Sequence, residues 1–109
     1  MTPRIYLGEL EELTLLMVAL LRHEAYGISI VQELKIQAGR EISISAVHAV
    51  LHRLEEKGFV KSKMGGATAE RGGRRKRMFQ ITSYGRHSLE ELRNTRNEIW
   101  GLIAKTAAL

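Results

Sequence analysis

The chain has no cysteine and a single proline, Pro3. The first absence excludes disulfides and thiolate zinc sites and suits a reducing compartment. The second leaves no Pro-rich linker between domains. Long hydrophobic runs are missing too. The longest, Leu15 to Leu21, falls far short of the roughly 20 residues a membrane span needs. Met1-Thr2-Pro3-Arg4 leads into acidic residues rather than an apolar signal segment, so a cytoplasmic location is expected. Catalytic signatures are equally scarce. No glycine-rich phosphate loop follows a strand, and no nucleophile has triad partners. The carboxylate pairs Glu11-Glu12, Glu55-Glu56 and Glu90-Glu91 read as solvated helix faces. The composition therefore points away from an enzyme, a membrane protein and a secreted disulfide scaffold.

What remains is 109 residues, 44% hydrophobic and 27% charged, the profile of one globular domain over residues 1–109. The formal net charge of +5 is unevenly spread. Residues 1–24 set Arg4 and Arg22 against Glu9, Glu11, Glu12 and Glu24, a net of −2. Residues 57–77 set Lys57, Lys61, Lys63, Arg71, Arg74, Arg75, Lys76 and Arg77 against Glu70, a net of +7. A local positive field concentrates polyanions at that surface. Taken alone, the same run also reads as a solubilising charge cluster.

Helical spacing predicts a first helix over about Gly8 to His23, with Leu10, Leu13, Met17 and Leu21 on one side. Leu15, Leu16, Val18 and Leu20 fill much of the rest. A helix apolar nearly all round needs burial on two sides. One side can be the domain's own core; the other then needs a partner, a first sign of a dimer. Glu24-Ala25-Tyr26-Gly27 breaks the pattern, with Gly27 marking a turn. A second helix over about Ile28 to Gln37 follows, with Ile30, Val31 and Leu34 as its stripe and Gly39 as its stop. Ile42-Ser43-Ile44 alternates and can form a short strand.

The third helix is predicted from Ser45, an N-cap residue type, to Lys57, closed by Gly58. Val47, Val50, Leu51 and Leu54 form its apolar stripe. The opposite side carries Ser45, Ala49, His52 and Glu56, flanked by His48 and Arg53. Small residues there allow close approach, and the polar ones supply donors and acceptors. His48 and His52 also have the i, i+4 spacing of a metal pair, with Glu56 one turn on. No cysteine or fourth ligand accompanies them, so no metal or other cofactor is expected. Phe59–Met64 and Arg75–Ile81 read as two strands joined by a long, glycine-containing turn. Thr82 or Ser83 then caps a last helix reaching about Thr106. Its seam is Leu89, Leu92, Ile99 and Ile103, interrupted by Arg96, with Trp100 at the edge.

This order is mainly α with a small β-hairpin, that of a winged helix-turn-helix over residues 8–82 including the N-terminal helix. A C-terminal helix over 83–106 follows. The N- and C-terminal helices are expected to be dimerisation helices. In such a fold the third helix enters a major groove and the wing sets Arg and Lys against phosphates or a minor groove. Winged helices also serve as protein-binding modules, so a basic-faced interaction module without specific DNA binding is the alternative.

Four stretches carry a further resemblance: Leu7-Gly8-Glu9-Leu10-Glu11-Glu12-Leu13, Ala25-Tyr26-Gly27-Ile28-Ser29-Ile30, Leu51 to Val60, and Gly72 to Arg86. Together they resemble the PadR family of bacterial transcriptional regulators over roughly residues 7–90. The run Leu-x-Arg-Leu-Glu-Glu-x-Gly, with Gly-Gly-x-Arg-Lys about twenty residues later, is specific in combination. The resemblance implies a homodimeric winged-helix repressor whose N- and C-terminal helices build the dimer. Two departures stand out. His48-Ala49 occupies the place of the family's usual Tyr-Pro pair, whose tyrosine commonly helps contact DNA; His48 can act as a donor there. Met78-Phe79 replaces the aromatic pair after the wing. The short segment after Arg86 fits the small-regulator branch.

The expected DNA contacts are therefore Ser43, Ser45, His48, Ala49, His52 and Arg53 around the third helix. From the hairpin come Lys61, Lys63, Arg71, Gly72, Gly73, Arg74, Arg75, Lys76 and Arg77. Leu10, Met17, Leu89, Leu92, Ile99, Trp100 and Ile103 are expected at a dimer or ligand interface. Trp100 there can anchor the dimer or stack on a small aromatic effector. The expected partners are a roughly palindromic double-stranded operator and a second copy of the chain.

Overall fold

The structure, a computed structural model, describes residues 6–67 and 75–106. Helix α1 spans Glu9–Leu21 and is followed by a 3-10 turn over Arg22–Glu24. Helix α2 spans Gly27–Ala38 and α3 spans Ile44–Glu56. Strands β1 (Val60–Ala67) and β2 (Arg75–Ile81) form an antiparallel hairpin, and helix α4 covers Ser83–Thr106. The fold is mainly helical with one small hairpin, in winged helix-turn-helix order.

Helices α1, α2 and α3 enclose the core with the base of the hairpin. Leu15 and Val18 of α1, Ile30 and Leu34 of α2, Val47, Val50, Leu51 and Leu54 of α3, and Phe59, Val60 and Phe79 are all buried. The two apolar sides of α1 separate here. Met17 faces the core at 7% exposure, so this residue expected at an interface belongs to the protomer's own packing. Leu16 and Leu20, one turn apart on the other side, remain open to solvent at 39% and 55%.

The break after α1 falls at Arg22, whose backbone turns at φ 53 and ψ −109. The turn expected at Gly27 is not there; Gly27 opens α2 instead. Its reason is space. A Cβ on Gly27 would lie 2.9 Å from His48 Nε2 and 2.9 Å from Ile44 Cδ1. The bare backbone lets the start of α2 pass closely over the first turns of α3. Ser29 Oγ accepts a hydrogen bond from the Tyr26 N–H at 3.0 Å, tying down one of that helix start's donors. Gly39, at φ 64, ends α2 where expected; the Gly39 and Arg40 N–H groups close on the Lys35 and Leu34 carbonyls.

The expected strand at Ile42-Ser43-Ile44 does not form. Ser43 Oγ accepts from the Ala46 N–H at 3.1 Å, which makes Ser43 rather than Ser45 the N-cap and draws Ile44 into the helix. Strand β1 begins one residue later than expected and runs three residues past Met64, through a register shift between Met64 and Ala67. The chain between the 3-10 turn and α2 adds a short third edge to the hairpin. Phe79 N–H donates to the Ala25 carbonyl at 2.8 Å, and Tyr26 pairs with Met78. Hairpin and helix-turn-helix are thereby one unit.

Thr82 joins α4 to this unit. Its Oγ1 accepts from the Gly85 N–H at 3.0 Å and donates to the Gly58 carbonyl at 2.7 Å. Tyr84 stacks on Phe59 with ring centroids 5.0 Å apart. Arg96 reaches Glu12 of α1 at 2.7 Å. Beyond that the helix turns an apolar edge to solvent, with Ile99, Trp100 and Leu102 each more than half exposed.

A buried carboxylate anchors the first turn of α1. Glu11 is 7% exposed. It accepts from Lys57 Nζ at 2.8 and 3.0 Å and from the Gly8 N–H at 2.9 Å, with Arg53 Nε at 3.7 Å. Burial pushes its pKa up. The hydrogen bonds from Lys57 and Gly8 and the charges of Lys57 and Arg53 outweigh that and hold it below its ordinary value. Glu11 therefore stabilises the fold fully above the unfolded-state pKa, and this contribution disappears as pH falls through the depressed folded-state value. Glu11→Gln should cost roughly 1–3 kcal/mol near neutral pH, the range for hydrogen bonds to charged groups and unsatisfied buried polar groups. Urea unfolding at neutral and acid pH checks it. The variant should match the wild type once both are fully acidified, and an equal deficit at every pH would contradict the account.

Candidate nucleic-acid interface

Burying Val47, Val50, Leu51 and Leu54 forces the other side of α3 outward. Ser45, His48, Ala49 and His52 are all exposed on that side, with Glu56 below them. His52 Nε2 lies 3.6 Å from Glu56 Oε1. Among the described residues, no group of three His, Asp or Glu side chains is placed to hold a metal ion. Ser43 caps the helix while keeping its hydroxyl proton for an external acceptor. Arg53 leans away from this face: its guanidinium pairs with Glu11 of α1, which leaves it a flanking position.

The hairpin meets α3 along one of its two faces. Strand register puts Ser62 opposite Phe79, and Met64 opposite Arg77. Ser62 Oγ donates to Glu55 Oε2 at 2.7 Å, and Arg77 Nη1 donates to Ser62 Oγ at 3.0 Å. This relay runs from the helix to the wing and sets Arg77 at the edge of a groove that His48, His52, Glu55 and Phe79 also line. Charge-assisted hydrogen bonds such as these are the stronger kind. In the sequence Glu55 carries only the signal of a solvated helix face; strand register brings Ser62 and Arg77 to it.

Lys61 and Lys63 lie elsewhere. They stand opposite Gln80 and Met78, one residue out of phase with Ser62, so they project from the other face of the hairpin. Lys61 and Lys63, expected among the hairpin's DNA contacts, thus lie on the face away from Ser62 and Arg77. Lys76 Nζ sits 4.0 Å from the centroid of the Tyr26 ring. Arg75 pairs its backbone with Ala67, while Arg71, Gly72, Gly73 and Arg74 lie outside the described residues. Ile44 is 40% exposed at the start of α3, between Ser43 and Ser45, an apolar side chain beside the polar ones.

A further groove lies between α1 and α4, reaching Ile81 of β2. Glu12, Leu16, Ala19, Leu89, Arg96 and Trp100 are among the residues that line it. Of the residues expected at an interface, Leu10, Leu89, Leu92 and Ile103 are half-buried, and Ile99 and Trp100 are exposed. Leu16, Leu20 and Leu102 belong with them.

A helix-turn-helix with an exposed polar face on its second helix, joined to a basic hairpin, defines the winged-helix class of DNA-binding fold. Residues 15–91 match the Transcriptional regulator PadR-like family, and the chain belongs to that family. It is similar to the X-ray structure of a PadR-like transcription factor from Bacteroides fragilis, at 26% identity and TM-score 0.74, covering 92% of this chain and 91% of that one. A PadR family transcription regulator from Clostridium difficile shares the fold at 21% identity and TM-score 0.73, covering 90% of this chain and 97% of that one. The fold also matches Bacillus subtilis PadR in complex with operator DNA, at 22% identity and TM-score 0.63, covering 78% of this chain and 47% of that one. No protein of curated function matches the sequence. No helix among the described residues is long and apolar enough to cross a membrane.

Proposed function

We propose that this chain is a sequence-specific transcriptional regulator that binds a roughly palindromic operator as a homodimer and acts as a repressor. The observation that carries the reading is the exposed face of α3, with Ser45, His48, Ala49 and His52 in a row and Arg77 held beside it. Hydroxyl and imidazole groups can read base edges in a major groove, and Ala49 and Ile44 can meet thymine methyls. Ser43, Arg77 and the basic run of residues 71–75 supply phosphate or minor-groove contacts. The repressor role rests on the family resemblance. A B. subtilis relative of the same fold was solved with its operator, which supports the same use here.

A binding titration against the protein's own promoter and a scrambled duplex tests this. Preference for the promoter is expected. If a dimer neutralises six or more phosphates, affinity should fall roughly a thousandfold between about 50 and 200 mM salt. His52→Ala should reduce the preference, while Lys35→Gln, on α2 and away from the groove, should leave it unchanged. Equal binding to both duplexes would instead support a polyanion- or protein-binding module.

The dimer is read from the open apolar edges. Leu16 and Leu20 on α1, and Ile99, Trp100 and Leu102 on α4, expose more apolar surface than isolated side chains explain. Two copies related by a two-fold axis would cover them. The groove at Trp100 would then lie between protomers, where a planar aromatic effector can stack. Trp100 is the only tryptophan, so its fluorescence reports on this region alone. Dilution should red-shift the emission as protomers separate, and planar aromatic compounds should quench it. A spectrum independent of concentration, with a monomer in sedimentation, would contradict the homodimer.

A further inference from the structure

The outer face of the hairpin gathers basic groups that the DNA-reading groove does not use. Register sets Lys61 and Lys63 on that face with Gln80. The 3-10 turn after α1 brings Arg22 and His23 to the same concavity, about 540 Å³ in volume. A second hollow shares Arg22, His23 and Gln80 and extends to the exposed Arg86, with Val18, Ala19 and Ile81 also lining it. Among the described residues, no carboxylate lines either hollow. Among the described residues, Arg22, His23, Lys61, Lys63 and Arg86 form no ion pair, whereas Lys35, Arg40, Arg53, Lys57 and Arg96 each have one.

The backbone at Arg22 supplies an independent observation. It is the one non-glycine residue with positive φ among those described. Its φ 53 and ψ −109 match the first central position of a type II′ turn, which belongs to glycine. An arginine there is strained, and such strain gathers where a side chain has work to do. Arg22 lines both hollows.

We propose that this groove binds a small phosphate ester. Arg22, Lys61 and Lys63 would hold the phosphoryl oxygens; Arg gives planar paired donors and Lys a compact point charge. The organic part would lie over Val18, Ala19 and Ile81 near Arg86. The site touches both α1 and the hairpin, so its occupant bridges the two elements. The same phosphoryl chemistry is also offered by a DNA backbone, and the test separates the two sources.

Calorimetric titration of the full chain at fixed ionic strength, with inorganic phosphate and with phenyl phosphate, tests the site. Saturable binding of one anion per protomer is expected, tighter for the ester. Lys61→Gln should weaken it by about tenfold, as for the loss of one charge-assisted hydrogen bond. Lys105→Gln removes the same charge on α4 and should have no effect. Arg22→Gly should weaken binding similarly while holding or raising Tm, because glycine suits that turn. Absent saturable heat, equal weakening by Lys105→Gln, or unchanged binding in Arg22→Gly would each overturn the proposal. Operator affinity of Lys61→Gln, measured alongside, names the source. Retained affinity assigns the groove to a free ester, and parallel loss assigns it to a DNA phosphate. Failure of the wild type to prefer its promoter would contradict the DNA reading and leave the groove's own test standing.

Discussion

Val47, Val50, Leu51 and Leu54 have to leave water, and almost every other feature of the molecule follows from where they go. They occupy one side of a thirteen-residue helix, so their burial against α1, α2 and the hairpin base fixes the rotation of α3 about its axis. That rotation aims Ser45, His48, Ala49 and His52 outward without any further interaction. A surface built on a packed helix is also rigid, which keeps the cost of binding low. The near-absence of a side chain at Gly27 serves the same constraint, because it allows α2 to close over the stripe without displacing Ile44 or His48.

Polar contacts then fix what packing leaves adjustable. Glu11 joins the start of α1 to the end of α3 through Lys57, and the low-dielectric setting makes its pairing consequential in both directions. Glu55 joins α3 to the hairpin through Ser62 and Arg77. The second contact is exposed and weaker than the first. It is also the one a phosphate can compete for, since Arg77 can exchange a serine oxygen for a phosphate oxygen. Core packing thus sets α3, while a softer polar link sets the hairpin.

Much of this was legible in the sequence because it rests on periodicity. The apolar spacing of α3, the glycine stops after α2 and α3, and the order of hairpin and final helix all follow from local rules. The misreadings occurred where a tertiary contact decided between local options. Ile42-Ser43-Ile44 has strand character, but a single hydrogen bond from Ala46 to Ser43 commits it to a helix cap. Gly27 has turn character, but its role is close approach. Met17 and Leu16 are equally apolar, and only the packed molecule shows which faces inward. Lys61, Lys63 and Arg77 look alike in a charge count; strand register puts them on opposite faces.

Amide chemical-shift mapping on an isotope-labelled sample, with promoter duplex added stepwise, tests the central claim most directly. The account predicts shifts concentrated at residues 43–52 and around Arg77, with residues 31–38 of α2 and the seam of α4 unmoved. Shifts centred on the exposed side of α2, or spread evenly over the basic residues with α3 silent, would contradict it.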